Sequence, residues 1–197
     1  MEHYTHSLAR LGRGVVDVKS GNLMLFCNDT ASIGRIFNAK DSKTPTPFGR
    51  GWELRLENEK GTNLEYTNGK LTKFVDKSGI EYRFFYSGGL LSCIVYDSGM
   101  ICYDYNADGM LTRVTYPDGQ KAELCYRDVY YLYDVNVTDP DGNGKLAVSY
   151  ADNFYNNRVG CIYEYVYDGR DRKEIKFTDI TNPQKVITFL HQNQQKR

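Results

Sequence analysis

The sequence predicts an all-β protein in which antiparallel β-hairpins repeat about every twenty residues and form a curved open sheet or a partial β-shell. Large residues alternate with polar ones between regularly spaced turns, as in strands with one buried face. A fixed period of this length is typical of repeat proteins, in which one hairpin stacks on the next. One leucine series and one glycine series carry the period: Leu71, Leu91 and Leu111, and Gly79, Gly99 and Gly119.

The composition supports strands and argues against two classes of partner. The chain has 197 residues, with 17 Tyr and 9 Phe, and aromatic residues favour strands. Its 25 basic and 25 acidic residues give a net charge of zero. A balanced charge argues against nucleic acid or an anionic membrane as the main partner. No apolar run reaches the ~18 residues of a membrane span, and no signal peptide opens the chain, so the localisation is left open.

The pattern divides the chain into five segments. We expect a flexible lead over residues 1–14 and an opening segment over residues 15–65. Three hairpin repeats follow over residues 66–127, and residues 128–191 continue the same β domain less regularly. Residues 192–197 form a polar tail, of the kind that is often poorly ordered.

The opening segment contains short alternating strands and one tryptophan. Val15–Cys27 and Ile33–Phe37 read as strands, the first interrupted by a turn at Ser20–Asn22. Trp52 alternates with leucines at positions 54 and 56, which favours a buried plug over a ligand-stacking role. Two glycines ahead of it indicate backbone with positive φ or a close approach. The structural residues of this stretch are Phe48, Gly49, Gly51 and Trp52.

The opening segment resembles the start of the RHS/YD-repeat proteins. Ser20–Leu23 matches a T/S-G-N-L strand entry, Arg35–Ala39 an R-x-Y-N-S segment, and Pro47–Trp52 a G/P-F-G-x-G-W segment. Phe37 stands where the family usually has tyrosine, and Ala39 where it has serine. The periodic pattern of tyrosine, glycine and leucine follows in the order that the family shows.

The repeats extend this resemblance over about residues 15–170. Residues 103–114 are similar to the repeat Y-x-Y-D-x-x-G-R-L-T-x-V, with Asn106 in place of aspartate and Met110 in place of arginine. Residues 137–142 match a v-T-D-P-D-G connector. The repeat positions are Tyr103, Tyr105, Gly109 and Leu111.

The resemblance implies a structural function without enzymatic activity. Members of the family build a long β-sheet wound into a hollow shell of the RHS/teneurin type. Bacterial members enclose a C-terminal toxin, and animal relatives act in adhesion at the cell surface, which suggests a secreted or cell-surface location. The expected partners are further repeats or another chain along open sheet edges, and an enclosed toxin or carbohydrate.

Two other functions stay open. A carbohydrate- or protein-binding module would need exposed tyrosines on the wet face of the sheet as stacking platforms. A glycoside hydrolase would need two carboxylates that meet in a cleft. The histidines lie near the termini and no nucleophile elbow or phosphate-binding loop occurs, so no catalytic residue and no cofactor is assigned. The platform candidates are Tyr82, Tyr103, Tyr105 and Tyr126.

One segment resembles the first half of a calcium-binding loop. Asp139, Asp141 and Asn143 place oxygen ligands at positions one, three and five, and glycine follows at position six. Position twelve is Tyr150 rather than glutamate, so a double turn is favoured over a metal site. His3 and His6 have a spacing that could bind a metal, but no third ligand lies nearby in the sequence.

The five cysteines are odd in number and contain no Cys-x-x-Cys motif. Small buried side chains are therefore favoured over a zinc site or a disulfide framework. Cys93 and Cys102 bracket a turn, which leaves a cross-strand disulfide possible in an oxidising compartment. The others are Cys27, Cys125 and Cys161.

Overall fold

The computed structural model describes residues 3–57, 60–128, 130–152 and 158–190. These residues form two antiparallel sheets, one of five strands and one of twelve, with two short 3-10 helices at Ala9–Leu11 and Ala39–Asp41. Neither sheet closes into a barrel, because the first and last strands of each are not paired with each other. The all-β antiparallel prediction is confirmed.

The five-stranded sheet, called here the N-terminal sheet, contains strands that pair in chain order. Turns and one longer loop, over residues 39–51, connect them. Trp52 begins the last of these strands and pairs with Phe37 of the strand before it. The strands are β1 (His3–Ser7), β2 (Gly12–Asp17), β3 (Leu23–Asn28), β4 (Ile33–Asn38) and β5 (Trp52–Leu56).

The twelve-stranded sheet, called here the long sheet, also pairs its strands in chain order. It is a continuous series of hairpins, so each strand meets the one before and the one after it. The strands are β6 (Asn63–Thr67), β7 (Lys70–Val75), β8 (Glu81–Ser87), β9 (Leu90–Tyr96), β10 (Gly99–Tyr105), β11 (Leu111–Thr115), β12 (Lys121–Arg127), β13 (Tyr131–Thr138), β14 (Gly144–Asp152), β15 (Val159–Asp168), β16 (Asp171–Asp179) and β17 (Val186–Leu190).

Several hairpins share one turn geometry. At Asp76, Asn106 and Tyr116 the backbone N–H donates to the carbonyl four residues on, and a glycine N–H three residues on donates back. The glycine takes a positive φ, which residues with a Cβ adopt at a cost. Gly79 and Gly119 of the predicted glycine series lie in such turns, whereas Gly99 begins β10 as the register partner of Tyr96.

A single hydrophobic core contains side chains from both sheets. The face of the long sheet that contributes to it is called here the inner face, and the other its outer face. Burying each large apolar side chain contributes roughly 1.5 to 3 kcal/mol, so the contact between the sheets is a major source of stability. Fully buried members include Leu25, Phe37 and Trp52 from the N-terminal sheet, and Phe74, Ile94, Ile101, Val114 and Val135 from the long sheet.

The start of the chain differs from the prediction. Residues 1–14 were expected to be a flexible lead, but His3–Ser7 forms β1, which pairs with β2 from His3↔Asp17 to Ser7↔Arg13. The polar composition of this segment concealed a strand, because its buried residue is a histidine whose polar atom has a partner elsewhere in the fold. His6 is 4% exposed.

The boundary between the opening segment and the repeats also differs from the predicted one, which follows residue 65. The change of sheet falls between Leu56 and Asn63, since β6 pairs with β7 in the long sheet. Residues 66–127 and the less regular continuation belong to one unbroken sheet. The predicted tail at 192–197, together with position 191, lies outside the described residues.

Candidate functional site: the contact between the two sheets and the exposed surfaces

An ion pair between Asp29 and Arg35 lies at the centre of the contact between the sheets. Asp29 follows β3, and Arg35 projects from β4. The Arg35 Nε donates to Asp29 Oδ2 at 2.6 Å, and Nη2 donates to Oδ1 at 2.8 Å. Their side chains are 1% and 0% exposed for Arg35 and Asp29 respectively. Burying such charges is costly unless they are paired in good geometry. The bidentate contact between guanidinium and carboxylate supplies that geometry.

Aromatic side chains surround this ion pair. The hydroxyl of Tyr103 on β10 donates to Asp29 Oδ2 at 2.7 Å. The Arg35 guanidinium lies 4.9 Å from the Trp52 ring centroid and 5.0 Å from that of Tyr103. Burial opposes the charge of Arg35, but the Asp29 carboxylate holds the pKa of Arg35 well above its ordinary value. Burial, followed by the same carboxylate, raises the pKa of Tyr103 well above its ordinary value.

A second polar contact joins the N-terminal sheet to the first hairpins. Ser32 donates from its Oγ to Asp76 Oδ2 at 2.8 Å. The backbone N–H groups of Ser78 and Ile80 donate to Asp76 Oδ1 at 2.8 and 3.0 Å. Burial opposes the charge of Asp76, but these hydrogen bonds lower its pKa below the ordinary value. Asp76 therefore both shapes its own turn and binds the opposite sheet.

Strand β1 makes a third contact, with strands β14, β15 and β16 of the long sheet. The His6 Nε2 and the Tyr150 hydroxyl lie 2.7 Å apart. The Tyr4 hydroxyl donates to Glu164 at 2.8 Å and accepts from Thr178 at 3.0 Å. Burial lowers the pKa of His6 to about 4, so its imidazole is neutral near pH 7. Elements at opposite ends of the chain are thereby held together.

The loop before β5 makes a fourth contact, with the middle of the long sheet. The Pro47 carbonyl accepts from the Leu91 N–H at 2.7 Å, and the Arg50 N–H donates to the Gly109 carbonyl at 3.0 Å. A Cβ at Gly49, whose φ is +98°, would lie 2.9 Å from the Tyr105 ring. Glycine is required at this position both by its conformation and by the close approach of the long sheet.

Together these contacts occupy the inner face of the long sheet with the chain's own N-terminal sheet. They extend from Asp76 after β7 to Thr178 on β16. The arrangement can hold the curvature of the long sheet, because its strands bind a common support.

The predicted structural residues lie at these contacts and turns. Trp52 is fully buried, and its ring centroid lies 5.2 Å from that of Phe37. The period-twenty leucines are buried, at 6%, 0% and 0% exposure for Leu71, Leu91 and Leu111. Asp29 was not identified as a structural residue from the sequence. The available signal was an acidic residue six positions before an arginine in the next strand. Phe48 packs against the core, and the remaining turn glycines at 79, 109 and 119 take positive φ.

The prediction of a tyrosine platform on the wet face of the sheet is wrong for all four candidate tyrosines. Tyr82 and Tyr103 are 2% and 4% exposed, and Tyr105 and Tyr126 are partly buried against the core. All four side chains face inward, because packing an aromatic ring against the core is more favourable than leaving it in water. Tyr66, at 61%, is exposed instead.

The calcium-loop candidate adopts the turn geometry of the repeats. The Asp139 N–H donates to the Asn143 carbonyl, and the glycine at 142 donates back to Asp139. Asp139 Oδ1 also accepts from the Asn143 N–H at 2.9 Å and from its Nδ2 at 3.2 Å. The carboxylate of Asp139 thus satisfies its own turn, and Asp141 is exposed. Across the described residues no cluster of three metal-ligating side chains occurs.

A cleft of about 750 Å³ lies on the side of the long sheet that carries the alternate tyrosines of β15. Tyr163 and Tyr165 are two residues apart on that strand, so both project from one face. The Ser149 Oγ donates to Asp134 Oδ1 at 2.6 Å within the same lining. The sequence signal for this cleft was the alternation of tyrosines in β15. The lining comprises Arg127, Asp128, Tyr131, Asp134, Leu146, Ser149, Tyr150, Ala151, Tyr163 and Tyr165.

The edge strand β17 is exposed along its whole length. Val186, Ile187, Phe189 and Leu190 are 48%, 39%, 53% and 73% exposed. Among the described residues no strand pairs with its other side, and such an edge with exposed apolar side chains favours the addition of another strand. In the described part of the chain, no helix is long and apolar enough to cross a membrane.

Comparisons with known proteins find a likeness only among solved structures. No family model matches the chain, and no curated protein matches it. The crystal structure of TcdB2-TccC3-TEV has a TM-score of 0.43 and 12% identity, covering 95% of this chain and 11% of that one. For TcdB2-TccC3-Cdc42 the TM-score is 0.35 with 12% identity, and 90% of this chain and 12% of that one are covered.

A third structure, TcdB2-TccC3 without its hypervariable C-terminal region, gives a TM-score of 0.36 and 13% identity. It covers 90% of this chain and 12% of that one. This chain therefore spans only about an eighth of the length of the chains it matches. At these TM-scores the likeness carries no conclusion about function, which has to come from the geometry of this chain itself.

Proposed function

We propose that the chain is a non-enzymatic structural module, a section of β-repeat shell whose inner face is plugged by its own N-terminal sheet. The single observation that carries the proposal is the occupied inner face, held by buried contacts from Asp76 to Thr178. By the resemblance to RHS/YD-repeat proteins, the module is a section of shell whose interior is filled by its own N-terminal sheet. A cargo would lie against other sections of the shell.

The module binds its neighbour through the free edge of β17. The occupant is an antiparallel β-strand with apolar residues on both faces, as a further hairpin of the same repeat would supply. Continuity supports this choice, because every pair of neighbouring strands from β6 to β17 is antiparallel. The added strand, with the rest of its hairpin, would cover the exposed apolar residues on both faces of β17.

The edge can be tested by replacing Phe189 with lysine and measuring self-association by sedimentation velocity. An edge able to add strands makes the wild-type protein associate as its concentration rises, and Phe189→Lys abolishes that association because a charged edge resists pairing. Met100→Lys is the matched control. Met100 is 46% exposed, against 53% for Phe189, but it lies on an interior strand.

The proposal fails for this edge if the wild-type protein stays monomeric at every concentration, or if Met100→Lys abolishes association as fully as Phe189→Lys. Circular dichroism of both variants checks that the strands are retained. The other part of the proposal, that the N-terminal sheet occupies the inner face, is tested separately by the unfolding free energies of variants at Asp29 and Tyr103.

The absence of enzymatic activity is part of the proposal. Among the described residues, the buried carboxylates are those of Asp29 and Asp76, and each accepts several hydrogen bonds from structural partners, which supports a structural role. A panel of nitrophenyl glycosides provides the test, since the open alternative is a carboxylate-based glycoside hydrolase. Turnover that Asp134→Asn removes would contradict the proposal and place a hydrolase in the cleft of β13 to β15.

A second function, saccharide binding, is favoured by that cleft. It combines the rings of Tyr131, Tyr163 and Tyr165 with the polar pair of Asp134 and Ser149, and its volume suits a small ligand. Aromatic rings beside hydrogen-bonding groups recognise the apolar faces and hydroxyls of sugars. A glycan-array screen with wild type, Tyr163→Ala and the control Tyr66→Ala tests it. Binding lost only in Tyr163→Ala supports the site, and no binding in wild type removes it.

A further inference from the structure

Strands β9 and β10 place two cysteines directly opposite each other. Cys93 and Cys102 are register partners in this antiparallel pair, and both carry free thiols. Directly opposite residues of antiparallel strands have Cα atoms about 4.5 to 5.5 Å apart. That spacing lies inside the range of about 4.4 to 6.8 Å found across disulfides, so the backbone spacing of this pair is compatible with a disulfide.

Both thiols are on the outer face of the sheet. Their chain neighbours Ile94 and Ile101 are register partners too, and both are 0% exposed in the core. Successive residues of a strand point to opposite faces, so Cys93 and Cys102 project away from the core. Each is half-buried rather than enclosed, which leaves the pair within reach of small oxidants and reductants.

The other three cysteines lack this arrangement. Cys27 is fully buried, and burial raises the pKa of its thiol to about 12. Cys125 is half-buried and lies opposite Asp134 on the next strand. Cys161 is half-buried as well and lies opposite Asp179. Exposure is thus similar in four cysteines, and only Cys93 and Cys102 have each other as register partners.

We propose that Cys93 and Cys102 form an intramolecular disulfide across β9 and β10 when the protein meets an oxidising pool of small-molecule disulfide such as oxidised glutathione. The thiolate of one cysteine attacks a sulfur of oxidised glutathione, forming a mixed disulfide and releasing one glutathione thiolate. The thiolate of the other then attacks the protein sulfur of the mixed disulfide and releases the second glutathione thiolate. Two protein thiols are oxidised, and one oxidised glutathione becomes two reduced glutathiones that take up the two thiol protons.

The disulfide would fix the register of two interior strands of the long sheet. A one-residue slip of a strand moves its buried side chains to the wrong face. Here the bond would hold Ile94 against Ile101, one position along from the cysteines. It would also restrict the unfolded chain by closing a short loop, which stabilises the folded state. The inference is independent of the proposed structural function and of the free edge at β17.

The experiment uses the full chain, equilibrated separately with reduced and oxidised glutathione at about pH 8.5, near the ordinary pKa of a cysteine thiol. Burial and the neighbouring Cys93 raise the pKa of Cys102, so an alkaline buffer shortens the reaction. Remaining thiols are alkylated under denaturing conditions before digestion with trypsin. No lysine or arginine lies between Cys93 and Cys102, so one peptide, from Phe84 to Arg113, carries both.

After oxidation we expect this peptide to be unalkylated and lighter by two hydrogen atoms than its dithiol form, while Cys125 and Cys161 are alkylated. The Tm is expected to rise by about 5 to 10 °C in the oxidised sample. Cys102→Ser removes both effects, and the matched control Cys125→Ser retains both. A doubly alkylated peptide, glutathione left on a single cysteine, or a disulfide between chains as the main product would overturn the proposal.

Discussion

The hydroxyl of Tyr103 donates a hydrogen bond of 2.7 Å to Asp29, although 74 residues separate the two in the chain. Tyr103 belongs to a repeat of the long sheet, and Asp29 to a turn of the N-terminal sheet. Tyr103, one of the tyrosines that recur in the repeats, therefore also binds the N-terminal sheet, against which the long sheet packs. Its hydroxyl, the Asp29 carboxylate and the Arg35 guanidinium form one buried group.

Tyr103→Phe tests the weight of this bond. The variant keeps the ring and removes only the hydroxyl, so Asp29 loses one of its buried donors. We expect the free energy of unfolding to fall by about 1 to 3 kcal/mol, as for a hydrogen bond to a buried charge. Urea unfolding measures it. Tyr66→Phe, at a residue 61% exposed, is the control and should change stability by less than about 0.5 kcal/mol. Equal effects would show that the bond contributes nothing particular.

Asp29→Asn tests the ion pair itself. The substitution leaves the Arg35 guanidinium buried without a counter-charge, and we expect a loss of about 3 to 5 kcal/mol in urea unfolding. Replacing the whole group, as Asp29→Leu, Arg35→Met and Tyr103→Phe together, should recover most of that loss, because no buried charge or hydroxyl then lacks its partner. If the triple variant is less stable than Asp29→Asn, the group does more than satisfy its own charges.

His6 makes stability depend on pH. Burial lowers its pKa in the folded state to about 4, while the unfolded chain keeps about 6.5. The unfolded state therefore binds a proton first. The neutral, buried imidazole contributes fully to the stability of the folded state above about pH 6.5. This contribution to the free energy of unfolding, about 3 kcal/mol in all, is lost as the pH falls towards 4. The groups that face the imidazole are the Tyr150 hydroxyl and the Tyr4 ring, whose hydroxyl donates to Glu164.

The control for this dependence is His6→Gln, which keeps a polar side chain but does not titrate in the range. Urea unfolding of wild type and variant is measured at several pH values between about 4 and 7. The difference between them isolates His6 from the carboxylates, which also titrate on acidification. A difference that does not change with pH would mean that the histidine is protonated as readily in the folded protein as in the unfolded chain.

Gly51 and Gly69 provide a matched pair for the close approach at the loop before β5. Both have a φ of +74°, but a Cβ at Gly51 would lie 2.9 Å from the Ser42 Cα, whereas a Cβ at Gly69 would meet open space. Gly69→Ala should cost about 1 kcal/mol from conformation alone. Gly51→Ala should cost about 2 to 4 kcal/mol, since the overlap adds to the strain. Urea unfolding compares them, and equal losses would mean that the loop yields without cost.

The hairpins of the long sheet could be predicted from the sequence because they depend on neighbouring residues. Alternation of large and polar side chains has the period of a strand, and the glycine after each short polar turn supplies the positive φ that the turn requires. Leu91 and Leu111 were recognised as part of the period, and both are fully buried. Trp52 was expected to be a plug for the same local reason, and its side chain is in the core.

The burial of His6 and the direction of Tyr103 and Tyr82 could not be predicted in this way. Alternation separates the two faces of a strand, but it does not say which face meets another sheet. A tyrosine or a histidine suits either face, because its ring favours burial and its polar atom requires a partner or water. The partners of His6 and Tyr103 lie 144 and 74 residues away in the chain.

By itself the sequence determined an all-β chain of antiparallel hairpins, since turn chemistry and strand period act over a few residues. Only the tertiary structure decided that the N-terminal sheet packs on the inner face of the long one. That packing depends on long-range contacts, in which the charge of Arg35 becomes tolerable only after Asp29 and the aromatic rings have surrounded it. Burial of a charge is a property of the assembled fold, and no local pattern specifies it.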